Sequence, residues 1–250
     1  MVDLNPWLIA LVLNTGLIVA AWLGLKKLLT PAGWLHAWVL GVLIWGLLGW
    51  QGYGVVVFYF LVGSGVTRVG LAEKEAVGIA EKRSGARGPE NVWGSAATAT
   101  LCALGTLILP STLHPLLVLG YVASFSTKLS DTTASEIGKA YGRRTYLVTT
   151  FKLVPPGTEG AISLEGTLAG VVASLAIAVL AWGMDLISLL GIALCVGAAL
   201  IATHLESIIG ATLQPRWSWL TNEWVNVINT LIGAIAAMTA QALLWGGLIP

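Results

Sequence analysis

Long apolar stretches make up most of this chain, broken at intervals by short polar segments. A membrane span needs roughly 20 mainly apolar residues, with a usual range of about 17–25. The apolar runs therefore predict eight spans, at residues 7–25, 34–50, 53–66, 92–109, 113–127, 167–182, 186–204 and 224–245. The third and fifth are short, and only the break at Gln51-Gly52-Tyr53-Gly54 divides the second from the third. The expected fold is an all-α integral membrane protein: a polytopic helical bundle of about 7–8 transmembrane helices. It forms a single transmembrane domain over residues 1–250, with both chain ends on one side. No internal repeat of solenoid or propeller length and no second domain is visible.

Composition agrees with this pattern. The chain is 56% hydrophobic and 10% charged, with a mean hydropathy of +0.84. A soluble domain carries roughly 25% charged residues. The net charge of +1 points to no nucleic-acid or other strongly charged partner. The start, MVDLNPWLIALVL, lacks a basic leader and reads as a retained span. Cys102 and Cys195 lie in apolar runs without metal-type spacing and read as small buried hydrophobes. Trp34, Trp50, Trp93, Trp182, Trp217, Trp219, Trp224 and Trp245 fall near span ends, where an interfacial belt is expected.

Charge placement then orients the bundle. Lys26 and Lys27 follow the first span. Arg68, Lys74, Lys82, Arg83 and Arg87 follow the third, and Lys128, Lys139, Arg143, Arg144 and Lys152 the fifth. Arg216 follows the seventh, so all 13 basic residues share one side. The opposite connections hold only Asp3, His114 and Asp185. The positive-inside rule makes the basic face cytoplasmic, or stromal in a plastid. An odd error in span counting would scatter the basic loops over both sides.

Chemistry is expected on that face, where ten of the twelve acidic residues also lie. Residues 128–144 read KLSDTTASEIGKAYGRR. Thr133 and Glu136 form a T-x-x-E capping box, which predicts a helix start with Asp131 as an alternative cap. A helix N-terminus there would suit a phosphate. If instead the helix reaches back to Asp131, then Asp131, Ser135 and Lys139 share one face. Asp131 and Glu136 stand about 140° apart on such a helix and cannot share one ion. The plainer alternative pairs Glu136 with Lys139. Ala134, Gly138 and Gly142 form a small-residue stripe suited to close helix packing.

Two further segments join it. In VPPGTEGAISLEGTLAG, Pro155-Pro156-Gly157 stops any helix. Glu159 and Glu165 each precede a glycine, and Thr167 opens the sixth span. A solvated interfacial loop is the alternative there. Asn222, Asn226 and Asn229 make a polar stripe entering the last span, near His204, Glu206 and Glu223. Interhelical hydrogen bonding is its simplest role. No P-loop, dinucleotide fingerprint, H-E-x-x-H or G-x-S-x-G motif occurs. The residues alone thus indicate a polar site at one interface, suited to a phosphorylated ligand and a divalent metal.

Four stretches taken together, SDTTASEIGKAYG, VPPGTEGAISLEGTLAG, EKRSGARGPENVWGS, and THLESIIGA with TNEWVNVINT, resemble the phytyl-phosphate kinase family of the polyprenol and dolichol kinase superfamily. The resemblance covers roughly residues 30–240. It implies phosphoryl transfer from a nucleoside triphosphate, CTP favoured, to phytyl phosphate, with Mg²⁺ or Mn²⁺, for tocopherol and quinone synthesis. It also implies a bacterial inner, thylakoid or plastid-type membrane. The superfamily motif D-x-x-A-S-x-x-G-x-x-x-G falls on Asp131, Ala134, Ser135, Gly138 and Gly142, and E-G-T on Glu165, Gly166 and Thr167. The dolichol-kinase branch has an Asp-Gly pair where this chain has Asp131-Thr132.

The expected catalytic residues are Asp131, Glu165 and Lys139, and the expected metal ligands Asp131, Glu136 and Glu165. Substrate or nucleotide contacts are expected from Lys82, Arg83, Arg87, Asn91, Lys128, Ser135, Gly138, Gly142, Lys152, Glu159, Gly166, Thr167, Glu206, Asn222 and Asn226. The expected partners are the bilayer, the isoprenoid monophosphate and the nucleotide. A transporter of an anionic substrate and a CDP-linked lipid phosphotransferase are the competing classes. The latter's D-G-x-x-A-R signature is absent, and a transporter would place its polar groups nearer the bilayer midplane.

Overall fold

The computed structural model describes residues 5–24 and 28–246, leaving Asp3, Lys26 and Lys27 outside the described residues. The apolar runs form helices α1 (Pro6–Gly24), α2 (Pro31–Thr67), α4 (Pro89–Ile108), α6 (Leu164–Gly183), α7 (Leu189–Thr212) and α8 (Asn222–Gly246). A short helix, α3 (Leu71–Ala76), follows α2, and α5 (His114–Tyr141) crosses the centre of the bundle. The chain thus folds as an integral membrane helical bundle. Helical starts carry ordinary caps. Thr30 accepts from Gly33 N–H at 3.0 Å, Ser163 from Gly166 at 3.1 Å and Ser188 from Gly191 at 3.2 Å.

The second and third expected spans are the two arms of α2, and the break lies at Gly49, just before the Gln51–Gly54 segment. Gly49 has φ 64° and ψ −163°, a backbone region essentially confined to glycine. The chain reverses there. Arg87 is held by Thr30 N–H, which donates to its carbonyl at 3.0 Å. Arg87 also donates from Nη1 to Tyr59 Oη at 3.0 Å. A straight helix rises about 1.5 Å per residue, so Thr30 and Tyr59 would be about 43 Å apart, too far for one arginine to touch both. The turn leaves two arms, each close to the hydrocarbon thickness of about 30 Å.

Neighbours at the two ends of the bundle confirm the alternation of spans. At one end, Gly46 packs on Trp7, Gly54 on Met184, and Tyr121 donates to Gly52 O at 2.7 Å. At the other, Thr67, Arg87, Asp131, Ser163, Glu206 and Asn222 gather round one cavity. Asp185 therefore lies at the end opposite the basic loops. The tryptophan belt is incomplete. Trp50, Trp182, Trp217, Trp219, Trp224 and Trp245 are exposed, but Trp34 is buried and Trp93 donates to His36 Nδ1 at 2.8 Å. Both cysteines are free and buried.

Two expectations around α5 change. The helix does not begin at Thr133; it runs unbroken from His114 to Tyr141, so neither Asp131 nor Thr133 is a cap. No helix N-terminus is available there for a phosphate. The extension is possible because α5 is enclosed by its neighbours, with residues 119–131 buried all round. The second change is an antiparallel pair of short strands, β1 (Thr145–Leu147) and β2 (Ala161–Ser163), between α5 and α6. It brackets Pro155-Pro156-Gly157 and delivers Glu165 into the first turn of α6.

α5 and α6 meet through small residues. A Cβ on Gly166 would lie 2.5 Å from Ala134 O, and one on Gly170 2.9 Å from Ser130 O. Gly142 could take no side chain beside Gly138 O and Ser163. The expected small-residue stripe is therefore the α5–α6 seam.

Cysteines introduced singly at Arg87, Asp185 and Arg216 should separate by side. Positions 87 and 216 should react with an impermeant maleimide from one face of sealed vesicles, and 185 only from the other. Labelling of 87 and 216 from opposite faces would contradict the alternation.

Candidate active site

A polar cavity of about 740 Å³ opens at the basic end of the bundle. The segment 78–91, α5, the 157–167 segment, α7 and the start of α8 all contribute to its wall. Asp131, Ser135 and Lys139 line it together, as their spacing on one helix face requires. Lys82, Arg83, Arg87, Asn91, Lys128, Gly138, Glu159, Gly166, Thr167, Glu206, Asn222 and Asn226 line it too.

At its base lies a buried pair. Lys128 Nζ donates to Asp131 Oδ2 at 2.7 Å and to Asn226 Oδ1 at 2.8 Å. Both charged side chains are less than a tenth exposed. Removing isolated charges from water costs several kcal/mol per ion, and close pairing offsets that cost. Glu206 of α7 stands against the Asp131 carboxylate, with Glu159 adding a further negative charge nearby. Two carboxyl groups and an ammonium thus meet at the junction of α5, α7 and α8.

The rim carries more cations. Arg83 pairs with Glu90 and donates to Asn91 Oδ1 at 2.9 Å. Arg83 and Ser84 both have left-handed backbone, with φ 56° and 49°. Non-glycine residues adopt that conformation at a cost of about 1–2 kcal/mol each, so the rest of the segment must hold them. Ser84 Oγ donates to Glu75 Oε1 at 2.7 Å, and the Arg83–Glu90 pair closes the other side. Lys139 lies 3.3 Å from Glu136 and 3.9 Å from Glu81. Arg87 has no carboxylate partner among the described residues. Its guanidinium lies over the rings of Tyr59 and Phe60, 5.2 and 5.9 Å from their centroids.

Several expected site residues sit elsewhere. Glu165 and Lys152 do not line the cavity, and Gly142 belongs to the α5–α6 seam. Glu136 borders the cavity, but its carboxylate is engaged by Lys74, which also donates to Thr67 O at 3.0 Å. Asp131 and Glu136 point apart on their shared helix, as their spacing predicts. Among the described residues no three His, Cys, Asp or Glu side chains converge as a metal cage. The Asp131–Glu206 pair is the donor set that suits a magnesium ion, which binds through one or two carboxylates plus substrate phosphates. In the asparagine stripe, Asn222 pairs with Gln214 and Asn226 with Lys128. Asn229 is fully buried with neither amide atom bonded, so the expected interhelical bond is not made there.

Sequence reasoning missed Lys74, whose partner lies 62 residues away. Its only local signal is an isolated lysine in an acidic hexapeptide, LAEKEA. That segment reads equally well as a solvated surface turn. The meeting of Asp131 with Glu206 is likewise set by helix packing and has no local signature.

A model of the integral membrane protein DUF92 family matches residues 14–234. An uncharacterized membrane protein of Synechocystis is 64% identical over 95% of this chain and 92% of its own. Protein VTE6, chloroplastic, of Arabidopsis thaliana is 48% identical over 85% of this chain and 65% of its own length. An uncharacterized membrane protein of Methanocaldococcus jannaschii is 33% identical over 94% of this chain and 95% of its own. No solved structure matches. The family resemblance drawn from the four motifs is borne out.

The buried Lys74–Glu136 pair should hold α3 against α5. Glu136→Gln leaves the Lys74 ammonium buried without a counter-charge and should cost about 3–5 kcal/mol. The loss should appear as a lower unfolding midpoint in detergent, much of it recovered by adding Lys74→Met. An unchanged midpoint in the single mutant would show that the pair contributes nothing.

Proposed function

We propose, from the premise that this chain belongs to the integral membrane protein DUF92 family, that it is a membrane phosphotransferase acting on an isoprenoid monophosphate. The donor is a nucleoside triphosphate, with CTP favoured by the family resemblance. The acceptor is phytyl phosphate, and its diphosphate product serves tocopherol or quinone synthesis. The cavity faces the cytoplasm or stroma, where the nucleotide is found. The observation that carries this reading is the buried Lys128–Asp131 pair, with Glu206 beside it, in a cavity lined by both cations and carboxylates at one membrane interface.

The chemistry sets the requirements. A phosphate oxygen of the acceptor attacks the terminal phosphorus of the donor, a new P–O bond forms, and the nucleoside diphosphate leaves. The acceptor is already ionised, so little base catalysis is needed. The obstacle is bringing two highly negative groups together, and fixed positive charge is the remedy. Lys128, held by Asp131 and Asn226, presents a preorganised ammonium at the base of the cavity. Lys82, Arg83 and Lys139 supply cations around the nucleotide phosphates. A divalent ion held by Asp131 and Glu206 would add charge neutralisation on the triphosphate. Ser135 and Thr167 offer hydroxyl donors on the same wall. A membrane-interface location lets the prenyl tail stay in lipid while the phosphate meets the nucleotide.

Purified protein in lipid nanodiscs, given γ-labelled nucleoside triphosphate and phytyl phosphate, should form labelled phytyl diphosphate. No transfer with any of the four common nucleotides would overturn the reading.

Glu206→Gln should lower turnover about a hundredfold or more. It removes a carboxylate from the Asp131 cluster without stranding a cation. Glu165→Gln should cost less, since Glu165 lies outside the cavity. Rate measured against free Mg²⁺ should show a weakened metal dependence in Glu206→Gln. Equal losses in the two mutants, or a wild-type metal curve in Glu206→Gln, would count against the assignment.

A further inference from the structure

A second cavity, of about 250 Å³, lies between α1, the two arms of α2 and α4, with Phe125 of α5 behind it. Its walls are almost wholly apolar, among them Ala21, Ala37, Leu40, Val57 and Ala96. Tyr59, Arg87, Asn91 and Ser95 line both this cavity and the polar one, so the two meet at these residues. Away from that junction, Leu17 and Leu61 line the apolar cavity while being 45% and 52% exposed. Both lie on apolar helices, so this wall of the cavity reaches the outer surface of the bundle.

We propose that this cavity binds the prenyl chain of the acceptor, with Arg87 at its mouth holding the acceptor phosphate. The proposal rests on the phosphotransferase reading and adds where the lipid substrate lies. Polarity supports it. A prenyl monophosphate is apolar along its length and anionic at one end. The cavity is apolar along its length and ends at a guanidinium that no carboxylate neutralises among the described residues. Tyr59 orients that guanidinium through its hydroxyl, and the ring also packs on Phe125, three residues before Lys128. Arg87, Lys128 and Asp131 line the same polar cavity, so a phosphate at Arg87 faces the space that holds the Lys128–Asp131 pair.

Size supports a partial fit. Pockets that enclose a whole small ligand hold roughly 300–1,000 Å³. This one takes the phosphate-proximal part of a long chain and leaves the rest in lipid through the gap at Leu17 and Leu61. Acceptor length should then be read mainly by the first few isoprene units.

Filling the cavity tests this. In Ala37→Phe, and independently in Val57→Phe, kcat/KM for a long-chain prenyl monophosphate should fall about tenfold or more, the loss expected when a few methylenes are displaced from an apolar site. A five-carbon prenyl monophosphate, which fills less of the cavity, should lose much less, and an unchanged unfolding midpoint in detergent checks that the variants fold. Arg87→Gln should instead weaken both acceptors together. Equal losses for long and short acceptors in both cavity-filling variants would overturn the tail site.

A readout without catalysis separates this proposal from the reading it rests on. A long-chain prenyl monophosphate with a diazirine on its first isoprene units should cross-link to the walls formed by residues 17–61 and 92–96. Cross-links spread over the lipid-facing sides of α6 and α7, as for bulk lipid, would overturn the tail site even in an active enzyme. Focused cross-links in a protein that transfers no phosphoryl group would leave the tail site standing and overturn the phosphotransferase reading.

Discussion

A lysine and an aspartate buried 2.7 Å apart on one helix are the constraint around which the rest is arranged. Neither could stay charged alone in a low-dielectric interior, and removing one partner would strand the other. The pair lies three residues apart on α5, so the helix itself sets its geometry. Its remaining valences reach other helices. Asn226 on α8 accepts from Lys128, and Glu206 on α7 lies against Asp131. Three helices from distant parts of the sequence are thereby fixed at one point, and that point is the base of the cavity. The same low dielectric that makes the pair costly strengthens its field in the cavity.

Holding α5 at the centre requires its neighbours to come close. Small residues on α5 and α6 allow this, with Gly166 and Gly170 laid against the α5 backbone at Ala134 and Ser130. In lipid there is no hydrophobic drive between helices, so close backbone packing and polar contacts must hold the bundle. The glycine and serine content of 130–142 and 163–170 therefore serves the seam first. The same segments also form one wall of the cavity, where Ser130, Ala134, Gly138, Ser163 and Gly166 line it beside Asp131, Ser135 and Lys139.

How much of this the sequence discloses depends on the range of each interaction. Span number and sidedness are legible because they follow from apolar run length and from loop charge, both local properties. The basic residues described all fall at the end where the cavity opens or in the loops that flank it. The face shared by Asp131, Ser135 and Lys139 was legible once the helix was allowed to continue. The capping-box signal argued against continuation, and tertiary enclosure overrode it. Glu165 has no long-range partner to read among the described residues: its E-G-T motif falls in the first turn of α6, where Gly166 packs against α5 and Thr167 lines the cavity while Glu165 itself does not. Lys74 with Glu136, and Glu206 with Asp131, were illegible because nothing near either partner specifies the other.

The reversal at Gly49 links the fold to the chemistry. It turns one long apolar run into two antiparallel arms, and both reach Arg87. The first arm is tied to the Arg87 backbone through Thr30, the second to the guanidinium through Tyr59. The segment 82–87 is therefore anchored on both sides despite its left-handed residues, and the strain at Arg83 and Ser84 can persist. Arg87 consequently occupies a fixed position where an apolar cavity meets a polar one. An amphiphile entering from the bilayer meets that charge with its polar end only if its tail lies between the arms. Under the proposed tail site, the hairpin would thus do more than cross the membrane: it would aim the acceptor's head into the cavity that holds the buried pair on α5.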